Sequence, residues 1–250
     1  GAIRGIGTDL RLGETLLGFG TEGGGVRSVI TEGGSIPADI VVMGLGVRPN
    51  SELAERAGLK LSVRNSIAVD ESMRTSHPAV WAAGDCASTT HLVTGKPFWV
   101  ALGTVANKSG RVAGISIGGG RAALKGVLGT AMSKHCSFEV ARTGLSTREA
   151  EEEGRRFQSV VIKTKTRAGY FPGAENMYVK LLAEEGSRRL IGGQIVGGQG
   201  AAKRVDIIAT ALAAGMTVEE LVDLDLGYAP PFSMAWDPVQ VAGRELLKKV

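Results

Sequence analysis

A carboxylate at the end of a short apolar run is the feature of this sequence best suited to ligand binding. The run extends from Ala79 to Ala83 and is followed by Gly84 and Asp85. Small residues let a backbone approach a ligand closely, and a carboxylate at a strand end accepts hydrogen bonds from ligand hydroxyls. An aspartate fits poorly beside an apolar strand unless a partner satisfies it. Taken alone, the pattern is explained more simply by a strand that ends in a turn aspartate, so other motifs must decide.

Two further motifs flank this run. Upstream, residues 38–50 read ADIVVMGLGVRPN, in which Ile40–Met43 is typical of a buried parallel strand. Near the C-terminus, residues 228–239 read YAPPFSMAWDPV. Its Pro-Pro pair fixes an extended backbone that holds Tyr228 and Trp236 in a set pose. Each segment by itself is more simply explained as a turn or as core packing.

The three motifs, in this order, resemble those of the pyridine nucleotide-disulfide oxidoreductases, in the group of CoA-disulfide reductase, NADH oxidase and NADH peroxidase. The resemblance spans essentially the whole chain and implies the C-terminal half of such an enzyme. The implied parts are the tail of an NAD(P)H-binding domain (1–45), the distal part of an FAD-binding domain (46–118) and a dimerisation domain (119–250). The implied fold class is α/β plus α+β, and the last part reads as an antiparallel sheet with helices on one face.

The resemblance implies that NAD(P)H reduces FAD, and that FAD reduces a cysteine whose thiol pKa is low. Neither Cys86 nor Cys136 has the setting of such a cysteine, so we expect it outside this chain. The chain alone is then expected to be inactive and to bind FAD weakly or not at all. CoA disulfide is the favoured substrate. The alternatives are an NADH oxidase, an NADH peroxidase, a polysulfide reductase or a non-catalytic dimerisation fragment, and the choice between NADH and NADPH stays open.

Individual roles follow from the same resemblance. Tyr170 and Tyr228 match tyrosines that reach the partner subunit's cysteine, where a phenol can bind or protonate a departing thiolate. The expected cofactor contacts are Thr75, Gly84, Asp85, Ala101, Leu102 and Gly103, with Gly46 on the nicotinamide side. The expected substrate contacts are Asn107, Trp236 and Arg244.

A glycine pattern at residues 18–23, GFGTEG, matches the dinucleotide fingerprint G-x-G-x-x-G. That site needs a helix directly after it, because the helix N-terminus holds the pyrophosphate. Residues 24–30 instead predict a turn and another strand. We therefore predict a glycine-rich hairpin here.

The remaining elements follow from periodicity and capping residues. Predicted strands are 14–17, 26–30, 36–43, 67–69, 79–83, 137–143, 159–164, 177–183 and 190–196. Predicted helices are 52–57, 100–117, 147–154, 201–214, 218–221 and 238–247, with Ser146 and Asp237 as N-caps. A break at 118–120 is the expected boundary between two units.

Composition argues against several other classes of protein. The net charge is +4, and basic residues alternate with acidic ones rather than with aromatics, so no nucleic-acid binding is predicted. No apolar run reaches about 18 residues, so no membrane partner is predicted. Two cysteines without metal spacing predict no metal site and a reducing, cytoplasmic location. The apolar helix at 201–214 leads us to expect a homodimer through residues 119–250.

Overall fold

The computed structural model describes residues 2–250, which fall into two compact units that meet between Val47 and Arg48. The first unit contains a short helix and a three-stranded antiparallel sheet in the order β1-β2-β3. Its elements are α1 (Ala2–Gly5), β1 (Leu16–Glu22), β2 (Gly25–Thr31) and β3 (Gly34–Pro37). The predicted domain boundaries at 45 and 118 remain predictions.

The glycine pattern at 18–23 forms a hairpin, as predicted. Strands β1 and β2 pair antiparallel, and the turn between them is made by Gly23 and Gly24. Both have positive φ, +59° and +80°, a region that glycine enters without steric cost. Since a strand and not a helix follows, the segment lacks the helix N-terminus that a pyrophosphate site needs.

The predicted buried strand at Ile40–Met43 is wrong for this structure. The segment has no regular secondary structure, and Ile40 and Val42 are 84% and 89% exposed. A buried parallel strand needs paired neighbours and helices on both faces. Within residues 2–250 no strand pairs with this segment.

The second unit is built around a five-stranded antiparallel sheet in the order β6-β7-β10-β9-β8. Its strands are β4 (Thr89–Thr90), β5 (Pro97–Phe98), β6 (Ala131–His135), β7 (Phe138–Gly144), β8 (Phe157–Lys165), β9 (Asn176–Glu184) and β10 (Leu190–Gly197). Its helices are α2 (Glu52–Arg56), α3 (Gly103–Ile117), α4 (Thr147–Glu152), α5 (Val205–Ala213), α6 (Val218–Val222) and α7 (Pro238–Leu247). No helix among residues 2–250 combines the length and the hydropathy needed to cross a bilayer.

Helices α5, α6 and α7 cover one face of this sheet, as predicted. Alternation along β9 turns Val179 and Leu181 toward these helices and Leu182 toward the opposite face. There Leu182 packs with Ala150 of the short helix α4. The core on the helical face also contains Met177, Ala183, Ile195, Val205, Ile208, Leu212, Leu221, Val239 and Leu246.

Helix α5 is buried, as expected, but its burial changes the argument for a dimer. Its apolar side chains Val205, Ile208 and Leu212 lie in the core of its own unit. Its apolar composition is therefore explained by packing on its own sheet and does not indicate a surface for a second copy.

Two of the predicted strands do not form. Residues 67–69 contribute two isolated bridges, both at Ile67, to Leu61 and Ala87, and residues 79–83 contribute one, Arg74–Trp81. Asp85 therefore follows an irregular segment and not a strand, which corrects the setting expected for it. A strand needs partners along its length, and bridges at one residue of each segment do not provide them.

Gly192 in β10 sits where only a glycine fits, and it gives a first prediction. A Cβ at this position would lie 1.9 Å from the Leu145 carbonyl oxygen, at the connection from β7 to α4. Gly192→Ala is therefore expected to lower the free energy of unfolding by about 1–3 kcal/mol, measured by urea unfolding with circular dichroism. The control is Gly110→Ala in α3, where the space around the Cβ is open, and it should stabilise by about 0.5–1 kcal/mol. Equal midpoints for the two variants would contradict this packing.

Candidate functional site

The two tyrosines singled out in the sequence lie together in the structure. Tyr170 is in the loop between β8 and β9, and Tyr228 is in the segment between α6 and α7. Hydrogen bonding to the Tyr228 phenol, the largest influence, raises the pKa of Tyr170 above its ordinary value. Tyr170 is 78% exposed and Tyr228 is 50% exposed. The two phenols are thus neighbours at the surface.

The two tyrosine segments are short turns that contact each other directly. The Phe171 amide donates to the Ala168 carbonyl at 2.8 Å, and the Phe232 amide donates to the Ala229 carbonyl at 2.9 Å. One backbone hydrogen bond, 3.3 Å long, joins the segments from the Ala168 amide to the Pro230 carbonyl. Phe232, four residues after Tyr228, is also exposed.

The side chains of Trp236 and Arg244, which follow Tyr228 in the sequence, contact each other. Asp237 begins α7 with a capping box, and Trp236 is the residue before it. The Arg244 guanidinium carbon lies 4.7 Å from the centre of the Trp236 ring, which is a cation–π contact. Both side chains are exposed, so the positive charge is held at the surface, where it suits an anionic group such as a phosphate.

The predicted flavin contacts near Asp85 also come together. The Gly84 amide donates to the Ser109 hydroxyl of α3 at 3.0 Å, so the turn that contains Asp85 packs against this helix. Gly84 has φ +82°, and its position faces Ala106. The Asp85 carboxylate is exposed, and its backbone carbonyl accepts from the Trp99 indole at 2.8 Å.

Helix α3 begins beside this turn. Leu102 is its N-cap and provides no side-chain cap. Within residues 2–250 no acceptor is found for the Gly103 and Thr104 amides, as at many helix starts. Asn107 is exposed one turn further along. The Asp85 carboxylate and the first two residues of α3 are thus both exposed, while Ala101 and Leu102 are half-buried.

Two residues predicted to contact the cofactor, Thr75 and Gly46, lie in other surroundings. The Thr75 hydroxyl donates to the Val80 carbonyl at 3.0 Å and accepts from the His77 amide at 3.2 Å, so it holds the turn between 75 and 80. Gly46 belongs to the first unit, where it has φ +88° in an irregular segment.

The two cysteines are apart in the fold and have different surroundings. The Cys86 thiol donates to the Ala83 carbonyl at 3.3 Å and is half-buried. Cys136 is exposed in the tight turn between β6 and β7. Its φ of +52° fits this turn, which precedes β7.

Arg204 is the residue of this site that sequence reasoning missed. It precedes α5 and pairs with Asp237 at 3.0 Å, with side chains only 11% and 8% exposed. No sequence signal singled it out, because an arginine at a helix start is usually solvated. A weak clue was available in Asp237, an N-cap aspartate in an aromatic, proline-rich segment.

Comparisons with known proteins agree with these observations. The model described as pyridine nucleotide-disulphide oxidoreductase matches residues 2–110, and the model of that family's dimerisation domain matches residues 130–238. An NAD(P)H sulfur oxidoreductase (CoA-dependent) of Pyrococcus furiosus is 40% identical over 88% of this chain and 50% of its own length. A coenzyme A disulfide reductase of Staphylococcus haemolyticus is 29% identical over 82% of this chain and 46% of its own.

A solved structure gives the same result. The NAD-dependent persulfide reductase from A. fulgidus superimposes with a TM-score of 0.94 at 42% identity, over 99% of this chain and 46% of that chain. The chain spans about half the length of the curated relatives it matches. The chain belongs to the pyridine nucleotide-disulphide oxidoreductase family.

Proposed function

We propose that this chain is part of an FAD-dependent enzyme that uses NAD(P)H to reduce a sulfur–sulfur bond, with CoA disulfide as substrate and a redox cysteine outside residues 1–250. The observation that carries the proposal is the exposed Tyr170–Tyr228 pair. Buried tyrosines are explained by packing, but two neighbouring phenols exposed at the surface are suited to a reacting group brought by another part of an enzyme.

The residues around Asp85 fit one edge of a flavin cofactor. An exposed carboxylate suits the hydroxyls of a ribityl chain, and the open amides at the start of α3 suit the polar edge of a ring. We assign Gly84, Asp85 and Gly103 to contacts with this cofactor. When bound, FAD supplies the electron transfer between the nicotinamide and the cysteine.

The tyrosines serve the sulfur chemistry. When a thiolate attacks RS–SR, the S–S bond breaks and RS⁻ leaves; with the hydride from NAD(P)H, which carries two electrons and one proton, and a second proton from solvent, the net products are two RSH and NAD(P)⁺. The pKa of an ordinary phenol is about 10 and that of a thiol is about 8.5. The phenol is therefore the weaker acid, and it stabilises the leaving thiolate mainly by donating a hydrogen bond. A phenol of ordinary pKa is already protonated at neutral pH, and the raised pKa of Tyr170 does not change that. Arg244, stacked on Trp236, and Asn107 are assigned to the substrate.

A second candidate substrate is a persulfide or polysulfide. The relatives named for sulfur and persulfide reduction are 40% and 42% identical to this chain, against 29% for the coenzyme A disulfide reductase. The same donor pair would serve a departing sulfide or polysulfide, since these are also sulfur anions.

We also propose a homodimer, in the reducing cytoplasm, whose domains follow the predicted boundaries at 45 and 118. An exposed apolar row supports a dimer: Val140, Val196 and Tyr178 are neighbours on three paired strands of the sheet face that α5–α7 leave open. The tyrosine pair then reaches a cysteine of the partner subunit.

Removing the Asp85 carboxylate tests the flavin assignment. In the longer enzyme, Asp85→Asn should weaken FAD binding by about tenfold or more, since a hydrogen bond to a charged group contributes about 1.5–3 kcal/mol. The measurement is flavin absorbance per protein after dialysis, with NAD(P)H oxidation by CoA disulfide assayed alongside. The control is Glu55→Gln, which removes an exposed carboxylate on α2. Undiminished flavin in Asp85→Asn, or equal losses in both variants, would refute the assignment.

A further inference from the structure

Arg204 uses its guanidinium to hold several parts of the chain at once. Its Nε donates to Asp237 Oδ2 at 3.0 Å. Its Nη2 donates to the carbonyls of Thr166 at 2.8 Å and Phe232 at 2.7 Å, and its Nη1 donates to the Gly200 carbonyl at 3.4 Å. The planar fork of arginine supplies donors in these directions, which the single ammonium of lysine cannot reproduce.

The acceptors lie on the segments that carry the candidate site residues. Thr166 leads into the loop with Tyr170, and Phe232 lies four residues after Tyr228. Asp237 follows Trp236 and caps α7 through the Val239 amide at 2.9 Å. One side chain, fixed at the start of the buried helix α5, therefore joins both tyrosine segments to the core.

Little else fixes the two segments to each other. The backbone bond from Ala168 to Pro230 is long, at 3.3 Å. The phenols themselves are exposed, so packing does not hold them. Thr166 and Ser233 are buried, so the Thr166 carbonyl and the Ser233 hydroxyl need hydrogen-bond partners within the protein.

We infer that Arg204 is a positioning residue that sets the juxtaposition of Tyr170 and Tyr228 by tying the loop after β8 and the segment before α7 to the start of α5. This inference deepens the proposed function and rests on it for its catalytic meaning. The positioning itself is a property of the 250-residue chain and can be measured without catalysis.

The test is an NMR titration of the chain with its three tyrosines labelled at Cζ, with Tyr170→Phe to assign the Tyr170 signal. Arg204→Lys keeps a positive charge beside Asp237 but loses the fork. We expect the upward shift in the pKa of Tyr170 to be lost in this variant. The control is Arg155→Lys, since Arg155 is also half-buried and bonds Glu184 and the Val93 carbonyl, away from both segments.

A folded Arg204→Lys chain in which Tyr170 titrates as in the wild type would overturn the inference, as would an equal loss in Arg155→Lys. If Arg204→Lys does not fold, the double variant Arg204→Met/Asp237→Asn removes both charges together, which costs far less than leaving one of them unpaired. It should fold and also lose the Tyr170 shift. Failure of both to fold would assign Arg204 to the stability of the whole unit and overturn the positioning role.

Activity of the longer enzyme separates this inference from the proposed function. If both hold, Arg204→Lys lowers kcat with the disulfide about as far as Tyr228→Phe does. A changed Tyr170 titration with unchanged disulfide turnover would leave the positioning role standing and refute the role of the tyrosines in sulfur chemistry.

Discussion

Asp237→Ala is expected to lower the free energy of unfolding of the second unit by about 3–5 kcal/mol. The substitution removes the partner of Arg204 and leaves a guanidinium that is only 11% exposed without its carboxylate. It also removes the acceptor of the Val239 amide and of the Ser233 hydroxyl, so α7 loses its N-cap. The measurement is urea unfolding of the chain followed by circular dichroism.

The matched control is Asp206→Ala. Asp206 lies in the first turn of α5 and pairs with Lys203, but that pair is largely exposed and contributes about 0–1 kcal/mol. Similar midpoints for Asp237→Ala and Asp206→Ala would show that the buried pair is not what fixes the start of α7.

Tyr228→Phe is expected to slow disulfide turnover by the longer enzyme about 10- to 100-fold, since a hydrogen bond to a charged group contributes about 1.5–3 kcal/mol. Phenylalanine keeps the ring and removes the hydroxyl that interacts with Tyr170. Reduction of oxygen has no departing thiolate, so it should change much less. Both rates are followed as NAD(P)H oxidation, with CoA disulfide or oxygen as acceptor.

The control for this prediction is Thr210→Val, which removes an exposed side-chain hydroxyl from α5. Its rates should match those of the wild type. If Tyr228→Phe slows both acceptors equally, the tyrosine acts at a step shared by both, and the assignment to sulfur chemistry fails.

Elements whose signals are local were predictable from sequence. Helix α7 begins and ends as predicted because Asp237 and Pro238 fix its first turn through side-chain and φ preferences of their own. Strand β9 was also found, since its apolar residues face a core that the same chain supplies. The hairpin at 18–23 followed from its glycines.

Elements that depend on distant partners were not predictable. The apolar run Ile40–Met43 has the composition of a buried strand, but pairing and cover decide whether a strand forms, and composition does not report them. Residues 67–69 and 79–83 differ from prediction for the same reason. Strand β6 was missed because only its first residue, Ala131, is partly buried, while the other four are exposed, so the segment resembles a polar loop.

The candidate site likewise contains residues that were predictable from sequence and one, Arg204, that was not. The tyrosines and Asp85 were singled out through motifs that resemble those of a family, and the structure brings Tyr170 to Tyr228 and the Gly84–Asp85 turn to α3, where Gly84 bonds Ser109. Arg204 escaped because its role is defined by carbonyls 28 and 38 residues away along the chain. A backbone acceptor has no residue type, so no sequence pattern marks such a contact.

The central claim is that tyrosines of this chain act on a cysteine of the partner subunit. The most direct measurement is the disulfide reductase activity of a purified heterodimer of the longer enzyme. One subunit carries Tyr170→Phe and Tyr228→Phe with an intact redox cysteine, and its partner carries intact tyrosines with that cysteine changed to serine. Action across the interface makes one of the two sites complete, so we predict about half the wild-type activity. Activity no higher than that of the two parent homodimers would contradict the claim.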